Sequence, residues 1–265
     1  PRTVTPALDA LVKKGFMFTS AYAVAPWTLP SAMSLMTGSY PSTHKITNKE
    51  IIPQGQKQEL VPAKLSDTAP HMKTLASMLQ GQGYATGGFA GGAALSASYG
   101  FDQGLDVYKS GDAFDGLPEV LPAAVDFIRS RAAQKFFVFI HGFDVHGQYI
   151  PPGGYDRRFV GAYKGELTGS TEEQKTLREE GVISGRIFLP DEDVTFMRDI
   201  YDEKMARADE SIGSIIQEIE SLNLTEKTMV LFTSNHGEEF YEHGRIDHGM
   251  TLFDEVLRVP FVVVI

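Results

Sequence analysis

The sequence predicts an α/β fold in which a mostly parallel, mixed sheet lies between layers of helices, giving three layers. Residues 135–141 (KFFVFIH) and 227–234 (KTMVLFTS) are short, continuous apolar runs, as expected for strands covered on both faces. Residues 259–265 form a third such run. Residues 191–222 instead repeat apolar side chains with a period near 3.6, which is typical of a long helix. Strands that alternate with helices in this way indicate a largely parallel sheet.

The remaining elements follow from shorter patterns, several of which are opened by proline or closed by glycine. Helices are predicted over residues 5–15, 30–37, 71–82 and 117–133, and strands over residues 16–24 and 84–89. Residues 46–70 are polar and irregular, so we predict a surface loop there. Residues 150–190 are mixed and rich in glycine, which predicts an excursion over the surface.

Length and composition exclude several classes of protein. A chain of 265 residues with 17 Phe and 10 Tyr can bury a sizeable core and is not disordered. The net charge of -10, without a cluster of Lys and Arg, argues against a nucleic-acid partner. The absence of cysteine excludes disulfides, thiolate metal sites and cysteine nucleophiles. No apolar run reaches the roughly 18 residues of a membrane segment.

Polar residues follow three of the predicted strands, at the sheet edge where α/β folds bind ligands. These are residues 25–31 (APWTLPS), 141–146 (HGFDVH) and 235–239 (NHGEE). Thr28 would lie at the start of a helix, where unpaired N–H groups and positive potential suit an anionic ester. Threonine is also a common N-cap, so this stretch alone leaves both roles open.

Several stretches, in the same order along the chain, resemble the sulfatase family of the alkaline phosphatase superfamily. Residues 28–41, with TLPSA followed by TGSYP, resemble its C/S-x-P-S-R signature and the T-G-x-x-P that follows. Residues 136–152 (FFVFIHGFDVHGQYIPP) resemble its strand and D-P-H-x-P-Y-x-P-P turn, and residues 233–239 (TSNHGEE) resemble S-D-H-G-E. Shorter matches to E-H-G, H-G and R-V-P follow at residues 242–244, 248–249 and 257–260. The resemblance implies one sulfatase-type catalytic domain over residues 1–265, truncated at both ends.

The resemblance also implies a function and its residues. The expected activity is metal-dependent hydrolysis of sulfate, phosphate or phosphonate esters. Thr28 matches the nucleophile and a metal ligand, while Asn235 and His236 match metal-site positions. His146 and His248 match groups that contact the ester oxygens or protonate the leaving group.

The implied cofactor is a divalent cation, which lowers the pKa of a coordinated hydroxyl and neutralises charge on the ester oxygens. Calcium, magnesium, manganese and zinc all remain candidates, because the choice depends on the complete ligand set. The implied partner is a small-molecule sulfate or phosphate ester, and the family resemblance suggests a periplasmic or extracellular location.

The chain departs from the family pattern at several of these positions. Thr28 replaces the Cys or Ser that sulfatases oxidise to formylglycine, so no formylglycine is expected. Ala32 replaces an Arg, and residues 88–92 (GFAGG) lack the family's Lys-x-His element. Asn235 replaces an Asp, which is the stronger ligand for a hard cation, and His248 replaces the late Lys of many sulfatases.

Two alternatives to a hydrolase therefore stay open. Relatives with an unmodified Thr include transferases of phospho-headgroups, and Thr28 together with His248 fits them. The other alternative is a catalytically degenerate protein that binds a ligand on the same fold. The family's paired Asp ligands are expected to precede Pro1, so these 265 residues alone are predicted to have weak or no activity.

The remaining polar residues are assigned less specific roles. A core role and a site role are equally compatible with His141. Structural roles are predicted for His44, His243 and Asp209, and a surface position for His71. Glu238 is expected either to steady His236 or to be solvated.

Overall fold

The computed structural model describes residues 2–52, 60–147, 158–185 and 187–265. Its helices are α1 (Pro6–Lys13), α2 (Thr28–Thr37), α3 (Pro41–His44), α4 (Leu65–Thr68), α5 (Leu75–Gln80), α6 (Leu117–Arg131), α7 (Thr171–Ser184), α8 (Asp191–Ser221) and α9 (Asp254–Leu257). Its strands are β1 (Phe16–Tyr22), β2 (Glu50–Ile51), β3 (Val61–Pro62), β4 (Ala85–Ala90), β5 (Val107–Ser110), β6 (Phe136–His141), β7 (Val230–Thr233), β8 (Glu239–Phe240), β9 (Ile246–Asp247) and β10 (Arg258–Val264).

These strands build two three-stranded sheets and two short ribbons, β2–β3 and β8–β9. The first sheet has the order β5-β4-β6 and is parallel, as predicted. The second has the order β1-β10-β7 and is antiparallel. Strand β10 follows β7 through the β8–β9 ribbon and the single turn of α9, without the long crossover helix that usually returns a strand parallel. The α/β class is confirmed, with parallel pairing confined to the first sheet.

Strand β6 shows why its sequence is apolar at every position. Phe137 and Phe139 pack on a cluster that includes residues of α2, on one face of the sheet. Phe136, Val138 and Ile140 pack on the cluster around α6, on the other face. Because successive side chains of a strand point to opposite faces, both faces are covered and the three-layer prediction is confirmed.

Helix α8 confirms the longest predicted helix and reaches two parts of the molecule. Near its start, Met197 and Ile200 pack with Phe240 of β8. Near its end, Ile219 packs with Ile128 of α6. The helix therefore spans from the main core to the β8–β9 ribbon, which carries residues of the candidate site.

Two loop predictions were wrong. In the predicted surface loop over residues 46–70, Ile46, Ala63 and Leu65 are fully buried, because the short elements β2, β3 and α4 fold them onto the core. Within residues 150–190, the fourteen-residue helix α7 was missed, although the Ser170 side chain accepts from the N–H of Glu173 as a helix cap. Residues 150–157 and 186 of that excursion, and residues 53–59 of the predicted loop, lie outside the described residues.

Helix boundaries also shifted. Helix α2 begins at Thr28, two residues before the predicted start. Helix α5 begins at Leu75, where the Thr74 hydroxyl accepts from the Ser77 N–H, rather than at residue 71. Among the described helices, none combines the length and apolar character that crossing a membrane requires.

Candidate active site

Thr28 is the first residue of α2, and its side chain is 4% exposed. The N-cap position belongs to Trp27, and no side chain caps this helix. The Thr28 hydroxyl instead lies 3.2 Å from Nε2 of His236, a residue 208 positions away in the chain. Nδ1 of His236 lies 2.8 Å from the Gly237 carbonyl, which assigns the ring proton to Nδ1. The lone pair on Nε2 therefore faces the Thr28 hydroxyl, and the capping role for Thr28 was wrong.

His248 lies beside this pair and is held by two carboxylates. Its ring centre is 4.1 Å from that of His236. Its Nδ1 lies 2.9 Å from Asp247 and 3.2 Å from Glu238. Burial alone would lower the pKa of His248, but the Glu238 and Asp247 carboxylates raise that pKa to about 10. His248 is thus an imidazolium at neutral pH. Glu238 steadies His248 rather than His236, which corrects the expectation for that residue.

His146 completes a row of three rings. Its ring centre is 5.0 Å from that of His248. Burial, reinforced by the positive charge of His248, lowers the pKa of His146 to about 4 and that of His236 to about 3. These two imidazoles are neutral at neutral pH. The neutral rings of His146 and His236 therefore lie on either side of the charged ring of His248. Because their pKa values differ, His248 can donate a proton whereas His146 and His236 can offer a lone pair.

Asn235 joins the ends of two strands from different sheets. Its side-chain amide nitrogen lies 3.4 Å from Nε2 of His141, the last residue of β6. The Ser31 hydroxyl of α2 donates to the Asn235 carbonyl. His141 is buried, which lowers its pKa to about 4, and its Nδ1 has no hydrogen-bond partner among the described residues. His141 thus lies at the edge of the site rather than in a remote part of the core.

The donor atoms at Thr28 fit a divalent cation. The Thr28 oxygen and the neutral His236 nitrogen converge on one point, and Asn235 precedes His236 directly. Imidazole suits zinc, whereas hydroxyl and amide oxygens also suit magnesium, calcium and manganese, so these donors fit a divalent cation without selecting one. The predicted ligands are therefore brought close together at Thr28 and His236, whereas the Asn235 amide is turned towards His141.

A second group of possible ligands consists of Glu238, Asp247 and His248, whose donor atoms lie within 4.8 Å of one another. Here Nδ1 of His248 already lies between the two carboxylates. That arrangement suits a shared proton better than a metal ion, because the imidazolium and Arg178, which lies 3.4 Å from Asp247, together balance the two carboxylate charges.

The positions that depart from the family pattern are packed rather than vacant. Ala32 is 1% exposed and belongs to the apolar cluster under α2. A Cβ atom at Gly91 would lie 2.4 Å from the Asp115 carbonyl oxygen and 2.7 Å from the Phe143 ring. The end of β4 therefore has no room for a Lys-x-His element.

Three site residues escaped the sequence reasoning: Glu238 in its actual role, Asp247 and Lys204. The ammonium of Lys204 on α8 donates to the His146 carbonyl oxygen at 2.6 Å. Lys204 follows Ile200 and Tyr201 by four and three residues, so it lies on the apolar stripe of the helix. A charged residue on a buried stripe was the signal that could have identified it.

Two other histidines have the structural roles predicted for them. His44 is fully buried, accepts the Ile46 N–H at Nδ1 and lies 3.0 Å from the Ser34 hydroxyl at Nε2. His243 lies 3.0 Å from Glu255 and stacks on Phe253. Neither contact reaches Thr28.

Comparison with known proteins decides the family. The model of the family described as Sulfatase matches residues 1–265 of the chain. The chain belongs to the sulfatase family. Among the curated sulfatases, an "Ulvan-active sulfatase" of Formosa agariphila is 25% identical over 99% of this chain and 52% of its own length. The "Uncharacterized sulfatase YidJ" of Escherichia coli is 22% identical over 98% of this chain and 57% of its own length. The chain thus spans about half the length of these relatives.

Solved structures share the fold of this chain. The phosphonate monoester hydrolase of Agrobacterium radiobacter superposes with a TM-score of 0.70 at 18% identity, covering 98% of this chain and 62% of that one. The C-terminal periplasmic domain of EcEptC from Escherichia coli, in complex with Zn, superposes with a TM-score of 0.65 at 17% identity, covering 99% and 66%. As a sulfatase-family protein, the chain is related to sulfuric and phosphoric ester hydrolases.

Proposed function

We propose that the full-length protein cleaves sulfate or phosphate and phosphonate esters, with Thr28 as the nucleophile. The observation that carries this proposal is the contact between the Thr28 hydroxyl and Nε2 of His236. It joins a buried hydroxyl at the positive end of a ten-residue helix to an imidazole that presents its lone pair. Residues 1–265 supply this part of the catalytic domain.

The chemistry needs a nucleophile, a positive charge and a proton for the leaving group. Thr28 Oγ1 would lose its proton to solvent and form a bond to phosphorus or sulfur while the bond to the leaving oxygen breaks. Water would then cleave the resulting ester on Thr28, releasing phosphate or sulfate and restoring the hydroxyl. His248 carries the proton at neutral pH and would give it to that oxygen, because Glu238 and Asp247 aim its other nitrogen towards the site. His146, being neutral, would contact the ester oxygens without adding charge.

A divalent cation held by Thr28 and His236, with Asn235 contributing its amide oxygen because its amide nitrogen faces His141, would lower the pKa of the Thr28 hydroxyl and neutralise ester oxygens. The neighbour in complex with Zn and the imidazole donor support a metal such as zinc.

The test uses the full-length protein with an aryl sulfate, a phosphodiester and a phosphonate ester, each with manganese, zinc or calcium. We expect metal-dependent turnover of at least one ester. Thr28→Ala is expected to lower kcat by at least about 1,000-fold, because the nucleophile is lost. Thr37→Ala is the matched control, since that hydroxyl lies on the same helix and donates to the Met33 carbonyl. A metal-loaded protein that turns over none of the esters would overturn the proposal.

The second candidate is a ligand-binding protein without catalysis, which Asn235 and the apolar packing of Ala32 favour. It predicts that Thr28→Ala leaves anion binding and the cellular phenotype unchanged. A phospho-headgroup transferase is a variant of the first proposal, and an added alcohol acceptor that captures the phosphoryl group in place of water would identify it. Periplasmic neighbours support a location outside the cytoplasm for either candidate.

A further inference from the structure

We propose that Lys204 is a positioning residue that fixes His146 in the active site from α8. This inference rests on the proposed function, in which His146 contacts the ester. Lys204 touches the backbone of His146 and not its ring, so it acts through the placement of the turn that follows β6.

The placement of His146 depends on its backbone. Its ring packs against Phe114 and Phe143, with ring centres 4.9 Å and 5.5 Å away. Its Nδ1 is buried and has no hydrogen-bond partner among the residues that the structure describes. The backbone N–H donates to the Phe143 carbonyl at 3.0 Å, and the carbonyl accepts from Lys204 at 2.6 Å. The Lys204 ammonium therefore links the His146 carbonyl to α8.

Two carboxylates of the candidate site act electrostatically on this ammonium. Asp144 and Glu238 both favour its charged form, although burial lowers the pKa of Lys204 to about 8. Asp144 is itself anchored, since it accepts the N–H of Leu117 at 2.7 Å at the start of α6. Glu238 is the carboxylate that also binds Nδ1 of His248.

Lys204 thus connects the His146 turn with the carboxylate that orients His248. A buried ammonium is costly unless hydrogen bonds and nearby carboxylates offset its lost hydration. Here the His146 carbonyl accepts from the ammonium, and Asp144 and Glu238 favour its charge. Removal of the charge takes away the hydrogen bond that holds the His146 turn to α8, so the His146 ring is expected to move relative to His248.

The experiment compares Lys204→Met, which keeps the aliphatic stem, with Arg207→Met as the matched control. Arg207 lies one turn further along α8 and pairs with Glu119 at 3.4 Å on the surface. The readouts are ester turnover by the metal-loaded full-length protein and the ring resonances of His146 in histidine-labelled protein. We expect Lys204→Met to lower kcat by about 10- to 100-fold with KM changed less than about twofold, and to shift the His146 resonances. Arg207→Met should keep turnover within about twofold of the wild type, and its His146 resonances should superpose on those of the wild type.

Lys204→Gln protects the test against a failure of the methionine variant to fold. Its shorter side chain does not reach the His146 carbonyl, so it should shift the same resonances. Unshifted His146 resonances in either variant, or effects equal to those of Arg207→Met, would overturn the positioning role. If the wild type turns over no ester while the resonances still shift, the positioning role stands and the proposed function falls. If the wild type turns over an ester but the His146 resonances of the variants are unshifted, the proposed function stands and the positioning role falls.

Discussion

At the scale of single residues, the charge state of each histidine in the site follows from its immediate neighbours. His248 faces Glu238 and Asp247, so its proton is held. His236 faces a hydroxyl and a backbone carbonyl, neither of which offsets the cost of burying a charge. Histidines of the same intrinsic pKa are thus sorted into a proton carrier and a lone-pair donor.

Glu238→Gln tests this sorting. The amide removes one carboxylate from Nδ1, so we expect the pKa of His248 to fall from about 10 towards its ordinary value. Histidine NMR titration of the metal-free protein measures the change. Glu242→Gln is the control, because Glu242 lies in the same segment but pairs with Arg198. A pKa of His248 that stays unchanged in Glu238→Gln would refute the carboxylate explanation.

Phe114 allows a test of the burial that lowers the pKa of His146. Its ring covers His146 from the solvent side, being 46% exposed itself. Phe114→Ala admits water to the His146 ring, so its pKa should rise from about 4 towards its ordinary value of roughly 6.5. The same NMR titration reports it, with Phe188→Ala, at an 86% exposed phenylalanine, as control. Equal pKa values of His146 in both variants would show that Phe114 does not shield it.

Sequence reasoning found some of these residues and missed others for a physical reason. Thr28 and His236 follow strands and match family motifs, and the structure places their side chains 3.2 Å apart. Asp247 lies in a two-residue strand without a recognisable pattern, and Lys204 lies in the middle of a helix. Their roles come from tertiary contacts with His248 and His146, which local spacing does not encode.

At the scale of elements, α8 supplies a cap for another helix. The Asp209 carboxylate is 2% exposed and accepts the N–H groups of Ala7 and Leu8 at 2.8 Å each, at the start of α1. Thr5, the N-cap residue, makes no side-chain cap of its own. A carboxylate from a distant helix thus satisfies the N–H groups that every helix start leaves unpaired, where negative charge is favoured.

Asp209→Ala should therefore destabilise the protein by about 2–3 kcal/mol, since two buried N–H groups lose a charged acceptor. Urea unfolding of the wild type and variant measures the difference in the free energy of unfolding. Ser214→Ala on the same helix is the control, because that hydroxyl only donates to the Glu210 carbonyl within α8. A loss in Asp209→Ala no greater than in the control would argue against the cap.

Elements were predictable where a regular pattern coincides with burial. Strand β6 and helix α8 have such patterns, and both lie where the sequence predicts them. Residues 46–70 fold onto the core through isolated buried residues such as Ile46 and Leu65. The helix α7 was missed because its polar, charged sequence lacks a strong apolar stripe, although Ser170 is a typical N-cap residue. Burial that depends on single residues rather than on periodicity escapes this kind of prediction.

At the scale of the whole molecule, the candidate site is built from residues that follow strands of both three-stranded sheets, and a contact between Asn235 and His141 joins the two sets. Thr28 begins a helix after β1 of the antiparallel sheet, and His141 ends β6 of the parallel sheet. Asn235, after β7, contacts His141 and precedes His236. The polar residues at the ends of three predicted strands and the order of the family motifs both predicted that these segments meet.

The same arrangement makes the stability of the metal-free protein depend on pH. His141, His146 and His236 have pKa values of about 4, 4 and 3 when folded, below the roughly 6.5 of an unfolded histidine. As the pH falls below about 6.5, the unfolded chain binds protons at these positions and the folded chain does not. The free energy of unfolding therefore falls with pH, by on the order of 1–2 kcal/mol per buried histidine at pH 5.

His248 has the opposite sign. Its folded pKa of about 10 lies above the unfolded value, so its contribution is complete below about pH 6.5 and is lost as the pH rises towards 10. These four groups together place the maximum of stability near neutral pH. Urea unfolding in the presence of a chelator, between pH 5 and pH 9, measures the loss of stability on both the acid and the alkaline side of this maximum. Between pH 6.5 and pH 5, His146→Gln should reduce the slope of the unfolding free energy against pH by about one proton, roughly 1.4 kcal/mol per pH unit, relative to the wild type. A wild-type stability that is constant from pH 7 to pH 5 would show that these histidines are not held neutral, and the separation of charge on which the proposed chemistry depends would be lost with it.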